Sequence, residues 1–232
     1  VSESRGLGDV YKRQLEKCLA ELHHKDRALV FPSAYTANQS TISILCKNIE
    51  EIEIFSDELN HASLIEGIRN SKAKYHIFKH NNVVDLEKKL NTMDIDKPHL
   101  IVCESIYSME GIRSPLKDIV KLAKKYNALT YLDEVHSVGL YGPSGSGIAA
   151  ELGISDDIDI INGTLSKSFG QMGGYIAANE DLIDYIRSFA PGFIFTSSIN
   201  PSVAAASIKS IEISKVAETL RQYLAQELLR QE

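Results

Sequence analysis

From Leu15 onward the chain alternates between two periodicities. Stretches with apolar residues at helical spacing give way to short runs that are almost wholly apolar. Helical spacing over Leu15 to His24 leads into the strand-like run Arg27 to Ser33, and Ala34 to Asn48 predicts the next helix before a strand at Ile52 to Asp57. The alternation repeats with a helix at His61–Ser71, a strand at Lys74–His80, an amphipathic helix at Val83–Met93 and a strand at His99–Ser105. A helix over Pro115–Asn127, strands at Leu129–Val135, Asp157–Gly163 and Gly173–Asn179, a helix over Asp181–Phe189 and a strand at Phe193–Ser198 follow. Ser202 to Glu232 reads as one long helix. The strand runs are short and continuously apolar rather than alternating, as in a parallel sheet covered by helices on both faces. The pattern therefore predicts an open α/β fold with a mostly parallel sheet.

Composition narrows the class. At 232 residues, with 44% apolar and 24% charged residues, the chain can bury a real core. A net charge of −6 leaves no general footprint for nucleic acid or an anionic membrane. No apolar run reaches membrane-spanning length. Cys18, Cys46 and Cys103 lie far apart in apolar contexts with no CxxC pair, which reads as reduced core thiols of a cytosolic protein rather than a metal or disulfide site. Ser4 to Gln14, "SRGLGDVYKRQ", resembles the translation of a transposase-type sequencing-library adapter. Residues 1–14 are accordingly set outside the fold. The expected organisation is a cofactor-binding large domain over 15–213 and a helix at 214–232 leading to a further domain beyond the chain.

Open α/β sheets bind ligands at the carboxyl ends of their strands. Those ends carry Ser33, Ala34 and Tyr35; Asn60 and His61; Ser105 and Ser108; Asp133 and His136; Thr164 and Lys167; Thr196 and Ser197. A carboxylate closing an apolar strand, as Asp133 does, is costly unless it meets a cation or several donors, and its alternative use is a loop cap. Lys167 follows another strand end, before Gly170, Gly173 and Gly174. A lysine beside a buried strand end can form Schiff bases, and glycines let backbone approach a bound group. An aspartate and a lysine on neighbouring strand ends suit pyridoxal phosphate, the acid for the pyridinium nitrogen and the amine for the aldehyde. Its phosphate would take the helix start in "PSAYTANQ". "GLYGPSGSG" (Gly139–Gly147) lacks the closing Gly-Lys-Ser/Thr of a phosphate loop and reads as a mobile turn.

"SDELNHASLIEGIR", "ESIYSMEG", "DEVHSVGLYG", "GTLSKSFG" and "APGFIFTSSINP", in this order, resemble the motifs of the α-oxoamine synthases. These are fold-type-I pyridoxal-phosphate transferases that condense an amino acid with an acyl-CoA and release carbon dioxide. The likeness runs from Leu15 to about Ile213 and is greatest to the branch that joins glycine to succinyl-CoA at the head of tetrapyrrole (heme) biosynthesis. The branches making oxononanoate or aminoketobutyrate usually differ at "ESIYS" and "GFIFT". The resemblance implies Lys167 as the Schiff-base lysine, Asp133 as the partner of the pyridinium nitrogen, His136 near the phenolic oxygen and His61 stacked on the ring. It implies Ala34, Tyr35, Ser108 and Thr164 as further cofactor contacts, with Thr196 and Ser197 serving the neighbouring subunit's phosphate in a homodimer whose active site lies at the subunit interface. Ser56 falls where the family touches acyl-CoA, and Tyr75 stands where a basic residue is common, beside Lys74. No metal is implied. The expected setting is the bacterial cytoplasm, or the mitochondrial matrix in a eukaryote. A non-catalytic scaffold subunit is the competing class, and the presence of Lys167, Asp133 and His136 together speaks against it.

Overall fold

The computed structural model describes residues 7–221 and 223. Seven strands form one sheet: β1 (Arg27–Phe31), β2 (Glu53–Asp57), β3 (Lys74–Phe78), β4 (His99–Glu104), β5 (Ala128–Asp133), β6 (Ile160–Thr164) and β7 (Gly174–Ala178). Their order is β1-β7-β6-β5-β4-β2-β3. The pairs β3–β2, β2–β4, β4–β5 and β5–β6 are parallel, while β7 runs antiparallel to both β6 and β1. The expected mostly parallel sheet is present, with one reversed strand.

Alternate side chains of each strand feed opposite faces of the sheet. On one face Ile54, Leu100, Val102, Tyr131, Ile160 and Ile176 pack under α2 (Ala34–Asn48), α3 (Ala62–Ser71) and α7 (Glu180–Phe189). On the other, Phe55, Ile101, Leu132 and Ile161 pack against α4 (Val83–Leu90), α5 (Leu116–Lys125) and α6 (Ile148–Glu151). A third cluster joins β1 and β7 to α1 (Leu7–His23) and α9 (Pro201–Val216). Two-sided cover explains why the strand runs read as continuously apolar. Helix starts are written in the sequence: Ser33, Asn82, Asn179 and Asn200 each accept a backbone N–H with the side chain, and Pro201 occupies the first turn of α9.

Three expectations change. Phe193–Ser198 is not a strand: α8 (Pro191–Ile194) is a helical turn in which Phe193 and Ile194 amides donate to the Ala190 carbonyl. Pro191 opens that turn, and the Phe193 ring meets Phe31 edge-on with centroids 5.8 Å apart. An apolar run of this length cannot distinguish a strand from a buried helical turn. The C-terminal helix is not continuous either. It stops at Val216, where Ala217 leaves helical geometry and the Arg221 guanidinium donates to the Ser214 carbonyl, satisfying a terminal acceptor. Residues 224–232 of that expected helix lie outside the described residues. Finally, the Gly139–Gly147 turn is packed against the fold, with Gly145, Ser146 and Gly147 buried. The amides of Ile148 and Ala149 just beyond it donate to the buried Glu134 carboxylate at 3.1 and 2.8 Å.

Residues 7–14, set aside at the sequence level, form the first turns of α1. All three cysteines are free, Cys46 and Cys103 buried and Cys18 half-buried. Burial raises the Cys46 thiol to about 12, so it stays protonated.

The start of α2 passes so close to β7 that only glycine fits there. A Cβ on Gly174 would lie 2.1 Å from the Ala34 nitrogen. Gly174→Ala is expected to destabilise the chain by about 1–3 kcal/mol, because backbone rather than a flexible side chain must move. Denaturant unfolding measures this; a variant of unchanged midpoint would show the approach to be slack.

Candidate active site

The carboxyl ends of β4, β5 and β6 open into a cavity of about 240 Å³ capped by the first turn of α2 and by the residues before α3. Its walls include Ala34, Tyr35, His61, Asp133, His136, Thr164 and Lys167, together with Asn38, Ser63, Glu104 and Ser166. This is below the ~300–1,000 Å³ of sites for drug-sized ligands and suits one compact ring with its substituents.

Asp133 is the charge around which the cavity is built. It is 4% exposed. Its Oδ2 accepts from Asn38 Nδ2 at 2.7 Å and its Oδ1 from the Val135 N–H at 2.9 Å. Asn38 is itself held: its Oδ1 accepts from the Tyr131 hydroxyl at 2.8 Å, and its Nδ2 also donates to Ser63 Oγ at 2.9 Å. That fixes which end of the amide faces Asp133.

His61 caps α3, with its Nδ1 2.7 Å from Ser63 Oγ and its N–H donating to Glu104 Oε1 at 2.6 Å. The Tyr35 ring stands edge-on to it, centroids 6.2 Å apart. His136 is half-buried, and burial, then the Lys167 ammonium, hold its imidazole below the usual histidine range. It is therefore the neutral ring at neutral pH, able to donate from one nitrogen and accept at the other. Thr164 Oγ1 lies 2.8 Å from Ser166 Oγ, and Ser33 caps α2 through the Thr36 N–H at 3.1 Å. Hydroxyls and free amides of a helix start suit an anion. Glu104 is pushed up to about 8, by burial and by the nearby Asp133 charge.

Other expected site residues lie elsewhere. Ser108 is exposed in the connection after β4 and does not line the cavity. Thr196 and Ser197 line a separate pocket of about 240 Å³ with Phe31, Phe193 and Ile199, and Thr196 Oγ1 donates to the Gly192 carbonyl. Ser56 and Tyr75 share a small pocket of about 100 Å³ with Ile65, Ile68, Arg69 and Ile77 at the β2–β3 edge. Lys74 is absent from that pocket and pairs with Glu53 at 3.1 Å. The cation beside Tyr75 is Arg69.

The residues 3–230 match the family model for class I and II aminotransferases. This chain belongs to that family. The chain is 55% identical to the 5-aminolevulinate synthase of Rickettsia typhi over 208 residues, 90% of this chain and 50% of that protein. It thus spans about half the length of the curated relatives it matches. Among solved structures, SPT with a PLP internal aldimine superposes with a TM-score of 0.89 at 33% identity, covering 97% of this chain and 55% of the other. The 8-amino-7-oxononanoate synthase of Francisella tularensis gives 0.81 at 28% identity, covering 93% and 62%. Membership of the family confirms the fold type read from the strand pattern and motifs.

Asn38, Ser63 and Glu104 are not singled out by the sequence reading. Asn38 lies four residues after Ala34 on α2, so helical spacing puts both on one side. Glu104 ends the apolar β4 run as Asp133 ends β5. Both signals are legible, yet each also describes an ordinary cap or loop residue.

Proposed function

We propose that this chain is the cofactor-binding part of a 5-aminolevulinate synthase, which condenses glycine with succinyl-CoA to 5-aminolevulinate, CoA and carbon dioxide using pyridoxal 5′-phosphate. The carrying observation is one cavity that holds a doubly bonded carboxylate, Asp133, with the amine of Lys167 on its wall. The 55% identity to a named 5-aminolevulinate synthase supports this branch over those of the structural neighbours, at 28–33%.

The donor set fits pyridoxal phosphate. Lys167 Nζ would take the aldehyde, Asp133 the ring nitrogen and His61 one ring face. His136 would serve the phenolic oxygen, and Thr164 with the Ala34 and Tyr35 amides the phosphate. When bound, the cofactor supplies an electron sink for the glycine α-carbon. The chain's own work is then proton handling and exclusion of water. Lys167 Nζ, as a free amine, takes the α-proton of glycine. Asp133, an anion fixed by Asn38 and Val135, keeps a proton on the ring nitrogen. Neutral His136 can donate to the phenolic oxygen or to the acyl carbonyl oxygen. Ser56, Tyr75 and Arg69 form the proposed acyl-CoA contact, Arg69 supplying the cation that Tyr75 does not. Thr196 and Ser197, remote from this chain's own cavity, suit a homodimer in which they reach the partner's phosphate. The proposed setting is the cytoplasm of a bacterium or the mitochondrial matrix of a eukaryote. Among the described residues no helix is long and apolar enough to cross a membrane.

Glycine-dependent CoA release measured with succinyl-, acetyl- and pimeloyl-CoA tests the assignment. Succinyl-CoA is expected to exceed the others in kcat/KM by about tenfold or more, since a site that pairs the succinyl carboxylate discriminates against acetyl-CoA, which lacks it, and against pimeloyl-CoA, whose longer chain carries its carboxylate further from the thioester. Faster turnover of acetyl- or pimeloyl-CoA would move the protein to a sister branch.

A further inference from the structure

Asp133 has a neighbouring acid, Glu104, which opens the motif "ESIYSMEG" but has no role in the resemblance or in the proposed chemistry. The β4–β5 register pairs Glu104 with Asp133, and the β5–β6 register pairs Asp133 with Asn162. In-register residues of adjacent strands point to the same face, so the three form a row beneath the cavity. All three are buried, Glu104 2%, Asp133 4% and Asn162 0% exposed. Two carboxyls this close cannot both ionise cheaply. The donors to the two acids differ. Asp133 receives two hydrogen bonds, from Asn38 and Val135, whereas Glu104 accepts from the His61 N–H. Asn162 adds no charge, and neither of its side-chain polar atoms has a hydrogen-bond partner among the described residues. The other charges facing Glu104 also oppose its ionisation: Asp57 at the end of β2 and Glu110 after β4 are both acids. His136 and Lys167 stand across the shared cavity.

We propose that Glu104 is a positioning residue of this cavity, a neutral carboxylic acid that anchors His61 through Oε1 and leaves Asp133 as the anion facing the cofactor. It acts through two neighbours. The Glu104 carboxyl oxygen fixes the backbone at the cap of α3, and with it the His61 ring. Its proton keeps a second negative charge away from Asp133, so the Asp133 charge is not shared between two acids. Ionising Glu104 would place two anions in one buried row.

The pH dependence has a definite sign. In the unfolded chain this carboxyl titrates near the ordinary glutamate value of about 4.3, whereas in the fold it is raised to about 8. Folding therefore favours the protonated form. The stability this contributes is complete below the unfolded value and is lost as pH rises through about 8.

The inference rests on reading the cavity as a pyridoxal-phosphate site, and its test separates the two. In the full chain, Glu104→Gln keeps an acceptor for the His61 N–H and removes the proton. Infrared spectra at pH 7 are expected to lose one protonated-carboxyl band relative to the unmutated chain. The melting temperature of Glu104→Gln relative to the unmutated chain is expected to rise between about pH 5 and pH 8, because the variant lacks the titration. With cofactor added, Glu104→Gln is expected to bind pyridoxal phosphate within about twofold of the unmutated chain, and Glu104→Ala, which drops the His61 anchor, about tenfold more weakly. An unchanged infrared spectrum, a pH-independent difference in melting, or equal cofactor losses in Gln and Ala variants would each overturn the proposal. If Glu104→Gln does not fold, the unmutated chain decides: a protonated-carboxyl band that titrates away near pH 8 and is still present in Glu134→Gln supports it, and its absence overturns it. Infrared and melting read Glu104 without cofactor, so failure of the unmutated chain to bind pyridoxal phosphate would sink only the cofactor reading.

Discussion

Lys167→Ala is expected to abolish covalent retention of pyridoxal phosphate. The unmutated chain, mixed with the cofactor and reduced with borohydride, should gain one cofactor mass, and the variant none. The reason is placement. Lys167 stands on the wall of the cavity that holds Asp133, His61 and His136, whereas many other lysines of the chain sit in surface ion pairs. Lys121 with Asp118 and Lys125 with Glu87, for instance, are held at 2.9 and 2.6 Å on exposed surface. A surface lysine has no second group to orient an aldehyde, so adventitious labelling there should be weak and scattered. Lys167 is itself exposed in the cavity mouth rather than packed in the core, so the variant should fold. Undiminished labelling of Lys167→Ala at one other lysine would move the anchor and overturn the assignment.

Asp133→Asn carries the second large effect, and the structure separates its two costs. The chemical cost is loss of the anion that would hold a proton on the ring nitrogen, an electrostatic contribution of the kind worth about 10²–10³ in kcat. The structural cost arises because Asn38 cannot adapt. Its Nδ2 already donates to Ser63 and its Oδ1 already accepts from Tyr131. Turning the Asn38 amide to suit the substituted side chain would break both bonds. Leaving it in place sets two N–H₂ groups face to face unless the introduced amide presents its oxygen there. The Val135 N–H then loses its acceptor. Either way one buried donor is left unmet, at about 1–3 kcal/mol. Stopped-flow turnover with a parallel unfolding curve distinguishes the two. A rate loss no larger than the stability loss explains would make Asp133 a structural cap.

Much of this arrangement is legible in the sequence, and the exceptions are instructive. Asp133, Lys167, His61 and His136 stand out because strand ends of an open α/β sheet converge, and the cavity gathers all four. Ser56, Tyr75, Ser108, Thr196 and Ser197 follow from the same resemblance and lie outside it, because motif order along a chain carries no distances within one subunit. Phe193–Ser198 reads as a strand because apolar residues in a run satisfy strand and helical turn equally well. Ala217 reads as helical because it is a good helix former, and α9 breaks there only once Arg221 returns to the Ser214 carbonyl.

By itself the sequence determined the class of fold, the helix starts and the chemical kind of the site. Those properties are local: hydrophobic period, a capping side chain, or an acid or amine closing an apolar run. Only the tertiary structure decided which acid meets two hydrogen-bond donors. Asp133 and Glu104 end neighbouring strands in the same way. What separates them is a pair of donors brought to Asp133 from α2 and from its own turn against the His61 N–H at Glu104. The same holds for Lys167, whose meaning comes from the aspartate that closes strand β5. Parallel strand pairing brings β5 and β6 side by side, so that both residues open on one cavity. Burial and charge are properties of such assembled neighbours, and no local pattern along the chain encodes them.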